Sequence, residues 1–363
     1  MSIQDELFLL LKKLSELNGI SGFEDEVRGF VADYVKMYAD EAFIDSLGNV
    51  VAIKKGGDKK FMVAAHMDEI GLVVKFIDDK GFIRFTPVGG WNERILPGTR
   101  VKIKGRNGWV PGVIGVKPPH LMKPEEAKQV LEIKDLYIDV GASSRDEVLS
   151  LGIENGSPIV LDVTTTRLFG SRVTGKAFDD RSGLTVALRS FADSEPRDVS
   201  FVLVATVQEE VGLKGAKTSA YGVSPDVALA LDVTTANDVP GVDPQDAVVK
   251  LGAGPAVKIM DGPAGRGMIA NQRVLELLKK VAAERNIPIQ AEVLPGGTTD
   301  ASIIQLNKEG VPAGVISIPS RYIHSGVEMI DLKDLENAYK LLLGFYESLT
   351  PFWIDSVKLQ KIK

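Results

Sequence analysis

The chain of 363 residues and 39.2 kDa is long enough for one large α/β domain or two ordinary ones, and its 44% hydrophobic and 25% charged residues exclude wholesale disorder. It has no cysteine, which excludes disulfides, thiol catalysis and Cys-ligated zinc, and its net charge of −6 disfavours a nucleic-acid-binding surface. Because no apolar run reaches the roughly 18 residues of a membrane helix and the acidic N-terminus lacks a signal peptide's basic segment, we expect a cytoplasmic protein with neither membrane nor nucleic acid as a partner.

Two helices and two strands are predicted at the start of the chain. Residues 3–17 carry a leucine-rich helical pattern, and the apolar residues of 27–38 recur at i, i+3, i+4 and i+7. The short apolar runs 50–53 and 61–65 are interpreted as strands, and the second of them stops at His66.

A β-rich domain is predicted next, at residues 69–163, where short alternating apolar stretches are separated by glycine, proline, asparagine and aspartate. The pair Asn107-Gly108 between two such stretches is a strong hairpin signal. One short helix is predicted near 144–151. We interpret this segment as a small barrel-like insertion into a larger domain.

The larger domain comprises residues 1–68 and 164–363. Its runs 199–207 and 227–231 are continuously apolar, as in strands that are buried on both faces. Helical patterns are predicted at 180–193, 269–285 and 331–347. The alternation of strands and helices predicts a three-layer α/β domain around a central parallel or mixed sheet.

Ionisable side chains stand where the predicted strands end. His66, Glu209-Glu210 and Asp232 each close an apolar run, His324 follows the run 315–319, and Asp179-Asp180 opens a predicted helix. If these strands are neighbours in one sheet, their ends meet at the same edge. Any one of these residues could be an ordinary cap or surface group, but two of only three histidines lie among them. Two imidazoles and three carboxylates suit two divalent ions such as zinc or cobalt.

Four segments around these residues carry a family resemblance: Ala65-His66-Met67-Asp68-Glu69-Ile70-Gly71, Lys176-Ala177-Phe178-Asp179-Asp180-Arg181-Ser182-Gly183, Gln208-Glu209-Glu210-Val211-Gly212 and His324-Ser325-Gly326. In this order, and with Asp232 between the last two, they resemble the M42 family of dinuclear metallo-aminopeptidases, the tetrahedral or TET-type peptidases. The similarity extends over essentially the whole chain.

The resemblance implies two divalent ions per subunit, zinc first and cobalt second. It implies that Asp179 bridges the two ions. His66 and Asp232 would complete the ligands of one ion, and Glu210 and His324 those of the other. The activity implied is the removal of N-terminal residues from peptides by a water that both ions activate.

Further roles follow from the same resemblance. Glu209 would be the general base, Asp68 would orient His66 with its carboxylate, and the Asp179–Asp180 peptide bond is expected to be cis. The segment that contains Gly297, Thr298 and Asp300 would lie near the first side chain of the substrate. The preferred N-terminal residue and the native metal stay open.

The resemblance also implies a homo-oligomer, a dodecamer built from dimers, in which the β-rich domain takes part in subunit contacts. His120 in that domain is interpreted as a structural or contact residue. Two other functions remain as alternatives. A glycoside hydrolase would use paired carboxylates without metal, and an assembly protein would use metal only to hold its fold together.

Overall fold

The structure, a computed structural model, describes residues 1–123, 125 and 130–358. The helices are α1 (Ile3–Glu16), α2 (Asp25–Val35), α3 (Arg145–Ser150), α4 (Phe178–Asp193), α5 (Lys214–Val223), α6 (Gln272–Glu284), α7 (Ala301–Ile304), α8 (Leu332–Ser348) and α9 (Pro351–Lys358). The strands are β1 (Glu41–Ile44), β2 (Val50–Lys54), β3 (Lys59–His66), β4 (Gly71–Ile77), β5 (Ile83–Val88), β6 (Arg100–Gly105), β7 (Gly108–Gly115), β8 (Tyr137–Asp139), β9 (Pro158–Leu161), β10 (Thr166–Arg167), β11 (Arg172–Gly175), β12 (Val199–Thr206), β13 (Val227–Thr235), β14 (Ala256–Met260), β15 (Gln290–Val293), β16 (Ala313–Ser320) and β17 (Glu328–Asp331).

A mixed sheet of eight strands forms the centre of the larger domain, in the order β1-β2-β12-β3-β13-β16-β14-β15. The four central strands β12, β3, β13 and β16 are parallel to one another, while β2 and β14 run antiparallel to their neighbours β12 and β16. All eight residues of β12 are buried, as its continuous apolar run predicts.

Helices cover both faces of this sheet. Along β3, Phe61 and Val63 point into the core under α1, α4, α6 and α8, whereas Met62 and Ala64 point into the core under α5 and α7. This alternation is the period of two that a strand imposes on its side chains. The predicted three-layer α/β class with a mixed sheet is therefore confirmed.

The insertion is a closed six-stranded barrel, β4-β5-β8-β7-β6-β9, with its own core of side chains such as Ile103, Ile138 and Ile159. The predicted hairpin joins β6 to β7, but its two loop residues are Arg106 and Asn107, because Gly105 pairs with Gly108 across the ladder. The barrel-like insertion that the sequence predicts is thus present.

The division into 1–68 with 164–363 and an inserted 69–163, and a role of the insertion in dimerisation, stay predictions. Residues 124, 126–129 and 359–363 of these segments lie outside the described residues. Within the described ranges, no helix is both long and apolar enough to cross a bilayer.

Local capping explains where one predicted helix begins. The helical pattern starts at 269, but α6 begins only at Gln272, because the Asn271 side chain accepts hydrogen bonds from the backbone of Arg273 and Val274 at 3.0 and 3.3 Å. Ile269 instead forms an isolated antiparallel bridge with Met260.

Candidate metal centre

The carboxyl ends of the central parallel strands bring the ionisable residues of the sequence to one edge of the sheet. His66 is the last residue of β3 and lies in register with Thr206, the last residue of β12. Asp232 lies near the end of β13, in register with Ser317 of the neighbouring β16. Since parallel strands end at the same edge, side chains from separate parts of the chain converge there.

Two groups of potential metal ligands share Asp179. The first contains His66, Asp179 and Asp232, and the second contains Asp179, Glu210 and His324; within each group the ligand atoms lie within 4.8 Å of one another. His66 Nε2 is 3.1 Å from Asp179 Oδ1, and His324 Nε2 is 3.3 Å from Asp179 Oδ2. Each oxygen of one carboxylate therefore faces a different histidine, which is the arrangement that a bridging ligand requires.

Burial and mutual charge perturb the pKa values of this cluster. Burial raises the pKa of Glu210 and of Asp232, and the negative charge of Asp179 raises both further. Burial also disfavours the charge of Asp179, but its hydrogen bonds with His324 and His66 hold the pKa of Asp179 well below its usual range. Burial lowers the pKa of His324, yet its contacts with Asp179 and Glu210 outweigh burial and raise that pKa to about 11.

The donor set fits divalent cations. Three carboxylates and two imidazoles face one another here, and the mutual repulsion of the carboxylates favours bound positive charge. Glu210 Oε1 is buried and makes no hydrogen bond of good geometry, although His324 Nε2 lies 3.1 Å away. Imidazole nitrogen and carboxylate oxygen are ligands that zinc and cobalt accept. Cations would therefore balance the crowded negative charge.

Glu209 lies beside the two groups and belongs to neither. Its Oε2 is 4.0 Å from His66 Nε2, and its side chain is 11% exposed. Burial raises the pKa of Glu209 well above its ordinary value; the positive charge of His66 opposes this, and the charge of Asp232 adds to it. A carboxylate with a raised pKa is a stronger base than an ordinary one, so Glu209 is suited to accept a proton beside these candidate ligands.

Asp68 has a different contact from the one predicted. The ring nitrogen Nδ1 of His66 is 2.9 Å from the backbone carbonyl of Asp68, and 3.6 Å from its carboxylate, which is too far for a hydrogen bond. The carboxylate instead accepts the backbone N–H groups of Glu209 and Glu210 at 3.0 and 3.2 Å and the Ser21 hydroxyl at 2.6 Å. The contact between this carboxylate and the ring that the sequence predicted is thus absent, and Asp68 lies beyond the end of β3 at His66.

A cavity of about 620 Å³ opens next to both ligand groups. Gly297 and Thr298 line it, as does Lys258, whose side chain is 2% exposed and lies 3.9 Å from Glu292. Asp300 lies behind the wall, because it is 3% exposed and accepts a hydrogen bond from the Thr206 hydroxyl. Two of the three residues that the sequence placed near the substrate thus border this cavity.

Three further observations bear on the sequence predictions. The Asp179–Asp180 peptide bond is cis, as the resemblance implies. His120 is exposed in a short 3₁₀ helix of the barrel and belongs to neither ligand group. Sequence reasoning missed Glu328 and Lys258; the only signal for Glu328 is its position four residues after His324.

Comparisons with known proteins find aminopeptidases that are similar in sequence. The model of a family described as M42 glutamyl aminopeptidase matches residues 48–341. The chain is 39% identical over 347 residues to a lysyl aminopeptidase of Pyrococcus furiosus, covering 94% of this chain and 97% of that relative.

Solved structures extend the similarity to the fold. The aminopeptidase APDkam598 of Desulfurococcus kamchatkensis is 52% identical with a TM-score of 0.96, and the alignment covers 100% of both chains. The TET1 peptidase of Pyrococcus horikoshii is 34% identical with a TM-score of 0.85, and the alignment covers 94% of this chain and 100% of that chain. That peptidase can assemble into a tetrahedron or a large octahedral shell.

Proposed function

Because the chain belongs to the M42 family of aminopeptidases, we propose that it removes N-terminal residues from peptides with two divalent cations and with Glu209 as the general base. The observation that carries this proposal is the pair of ligand groups that share Asp179 beside an open cavity. Zinc is the first candidate for both ions and cobalt the second, since both accept imidazole and carboxylate ligands.

The assignment of ligands follows the two groups. His66 and Asp232 would hold one ion, Glu210 and His324 would hold the other, and Asp179 would bind both. Two cations in this arrangement would lower the pKa of a water and polarise the scissile carbonyl.

Glu209 is the residue that transfers the proton in this proposal. Its carboxylate takes a proton from the attacking water and passes it to the leaving amine. Asp68 supports this step indirectly. Its carboxylate accepts the backbone N–H groups of Glu209 and Glu210 and so fixes the backbone positions from which the two side chains extend. The adjacent glutamates can then serve different tasks, one at the ion and one at the water.

The proposal is tested by removing the metal. Dialysis against a chelator should abolish the release of N-terminal residues from an unblocked peptide, followed by mass spectrometry, and added zinc or cobalt should restore it. An N-acetylated copy of the peptide is the control and should stay intact with or without metal. Activity that persists while elemental analysis finds far less than one ion per chain would contradict the proposal.

We also infer a homo-oligomer, built from dimers into a dodecamer whose active sites face an inner chamber and whose barrels take part in the contacts. The assembly of the similar TET1 peptidase into closed shells supports this inference. Mass photometry should find particles with twelve times the 39.2 kDa chain mass. A monomer would refute this part and leave the chemistry unaffected.

Neither alternative function accounts for the site as well. A metal-free glycoside hydrolase needs only two carboxyl groups, and it gives no role to the two histidines that face Asp179. Hydrolysis of a cellulose substrate that survives chelation would favour it. A purely structural metal site needs no general base, so an assembly protein would release no residue from peptides, and exchange of Glu209 for glutamine would change nothing measurable.

A further inference from the structure

We propose that Glu328 is a positioning residue that holds the two halves of the proposed metal centre together. Its Oε2 accepts the backbone N–H of Asp179 at 2.9 Å, and its Oε1 accepts the backbone N–H of His324 at 3.0 Å. The side chain is buried, with 2% exposure of the residue. One carboxylate thus connects the shared ligand to the histidine of the second group.

The sheet sets the position of this carboxylate. Glu328 begins β17, which pairs antiparallel with β11, and Glu328 lies in register with Gly175, four residues before Asp179. At the other end of its loop, Arg321 and Met329 exchange backbone hydrogen bonds at 2.9 and 3.0 Å, which close the segment that carries His324. Glu328 is therefore fixed by strand pairing rather than by the loop that it holds.

The two backbone N–H groups that donate to Glu328 lie where the backbone is irregular. Asp179 stands at the irregular start of α4, where an N–H has no acceptor within the helix. His324 has a φ of 62°, a left-handed conformation that is strained for a residue with a β-carbon. A buried carboxylate offers two acceptor oxygens in a fixed plane, so it satisfies both groups and sets the separation between the two segments.

A glutamine at this position can satisfy only one of them. Glu328→Gln keeps the shape of the side chain but directs an NH₂ donor at one of the two N–H groups. Since residues that support metal ligands typically contribute about 10- to 100-fold in metal affinity, we expect zinc affinity to fall by about that factor. Glu328→Asp keeps both carboxyl oxygens on a shorter side chain, so it should recover part of the loss.

The inference rests on the proposed two-metal function, and the test separates the two. Zinc is titrated against a chromophoric chelator into four metal-free proteins: wild type, E328Q, E328D and E276Q. The unfolding midpoint of each metal-free protein is also measured. Glu276 is the matched control, since it lies on α6 with a side chain that is 70% exposed.

The expected result is weaker zinc binding in E328Q, an intermediate value in E328D and wild-type binding in E276Q. Wild-type zinc affinity in E328Q, or a loss that E276Q shares, would overturn the inference. If E328Q fails to fold, the test rests on E328D, and wild-type affinity in E328D would likewise overturn it. If the wild-type protein itself binds no zinc, the proposed two-metal function is refuted, together with the role of Glu328.

Discussion

Exchange of Glu209 for glutamine should remove catalysis and leave the metal in place. Within the described part of the chain, the Glu209 carboxylate makes no hydrogen bond, and its Oε2 approaches His66 Nε2 only to 4.0 Å. It belongs to neither ligand group. The substitution is isosteric, so packing is kept and no proposed metal ligand is removed. What is lost is the negative charge of the carboxylate and, with it, the ability to accept a proton.

The size of the effect follows from that single loss. A positioned general base contributes about 10²- to 10⁴-fold to the rate, which corresponds to about 3–5 kcal/mol of transition-state free energy. Glu210→Gln is the informative partner, because Glu210 Oε1 lies 3.1 Å from His324 Nε2 inside the second ligand group. It should lose one ion as well as activity.

The assay combines elemental analysis with steady-state rates on an aminoacyl amide at saturating zinc. Glu209→Gln should keep the zinc content of wild type while kcat falls by the factor given above and KM changes little. Loss of zinc in Glu209→Gln, with zinc retained in Glu210→Gln, would mean that the two glutamates have been assigned in reverse. A variant with full activity would refute the general-base role.

Four other substitutions, of which His120→Ala is a control, test different parts of the structure. His324→Ala should lose one zinc ion per chain by elemental analysis, whereas His120→Ala, which removes an imidazole outside both ligand groups, should lose none. Lys176→Met should lower the free energy of unfolding by at most about 3–5 kcal/mol in chemical denaturation, because the buried Glu69 carboxylate loses the ammonium 2.7 Å away but keeps the Arg181 guanidinium at 3.7 Å. Lys258→Met should lower kcat/KM for acidic relative to apolar N-terminal residues, since it removes a buried cation from the cavity wall.

The ligand-bearing edge could be predicted because it follows from strand order. Continuous apolar runs identify β12 and β13 as strands buried on both faces, and ionisable residues at their ends are unusual enough to be noticed. β3, which ends at His66, lies between β12 and β13 and is parallel to both. The register of these strands then brings His66 close to Asp232. What could not be inferred from the sequence is that these strands are adjacent in the sheet.

The supporting contacts could not be predicted, because they join side chains to backbone groups far away along the chain. Asp68 contacts the N–H of Glu209 across 141 residues, and Glu328 contacts that of Asp179 across 149. No periodic pattern records such a pair. A backbone N–H has no residue identity, so nothing in the sequence marks it as a partner.

The barrel also approaches the candidate ligand Glu210, and two of its glycines allow a controlled test. Gly89, in the loop between β5 and β6, and Gly98 both have a φ of 80°, so alanine at either position pays the same left-handed strain of about 1–2 kcal/mol. A β-carbon on Gly98 would meet nothing within 4 Å, whereas one on Gly89 would lie 2.6 Å from Ile70 Cγ2 and 3.5 Å from Glu210 Cβ.

Gly89→Ala must therefore displace either the barrel loop, which lies against Glu210, or the Ile70 side chain, whereas Gly98→Ala need displace nothing. Because only Gly89→Ala adds a close contact to the shared backbone strain, we expect it to lose more stability than Gly98→Ala. Weaker zinc binding is expected only in Gly89→Ala, measured by competition titration of the metal-free proteins. Equal zinc affinities in the two variants would show that the loop merely lies beside Glu210. A selective loss would mean that the inserted barrel helps to form the metal centre in addition to any part it has in subunit contacts.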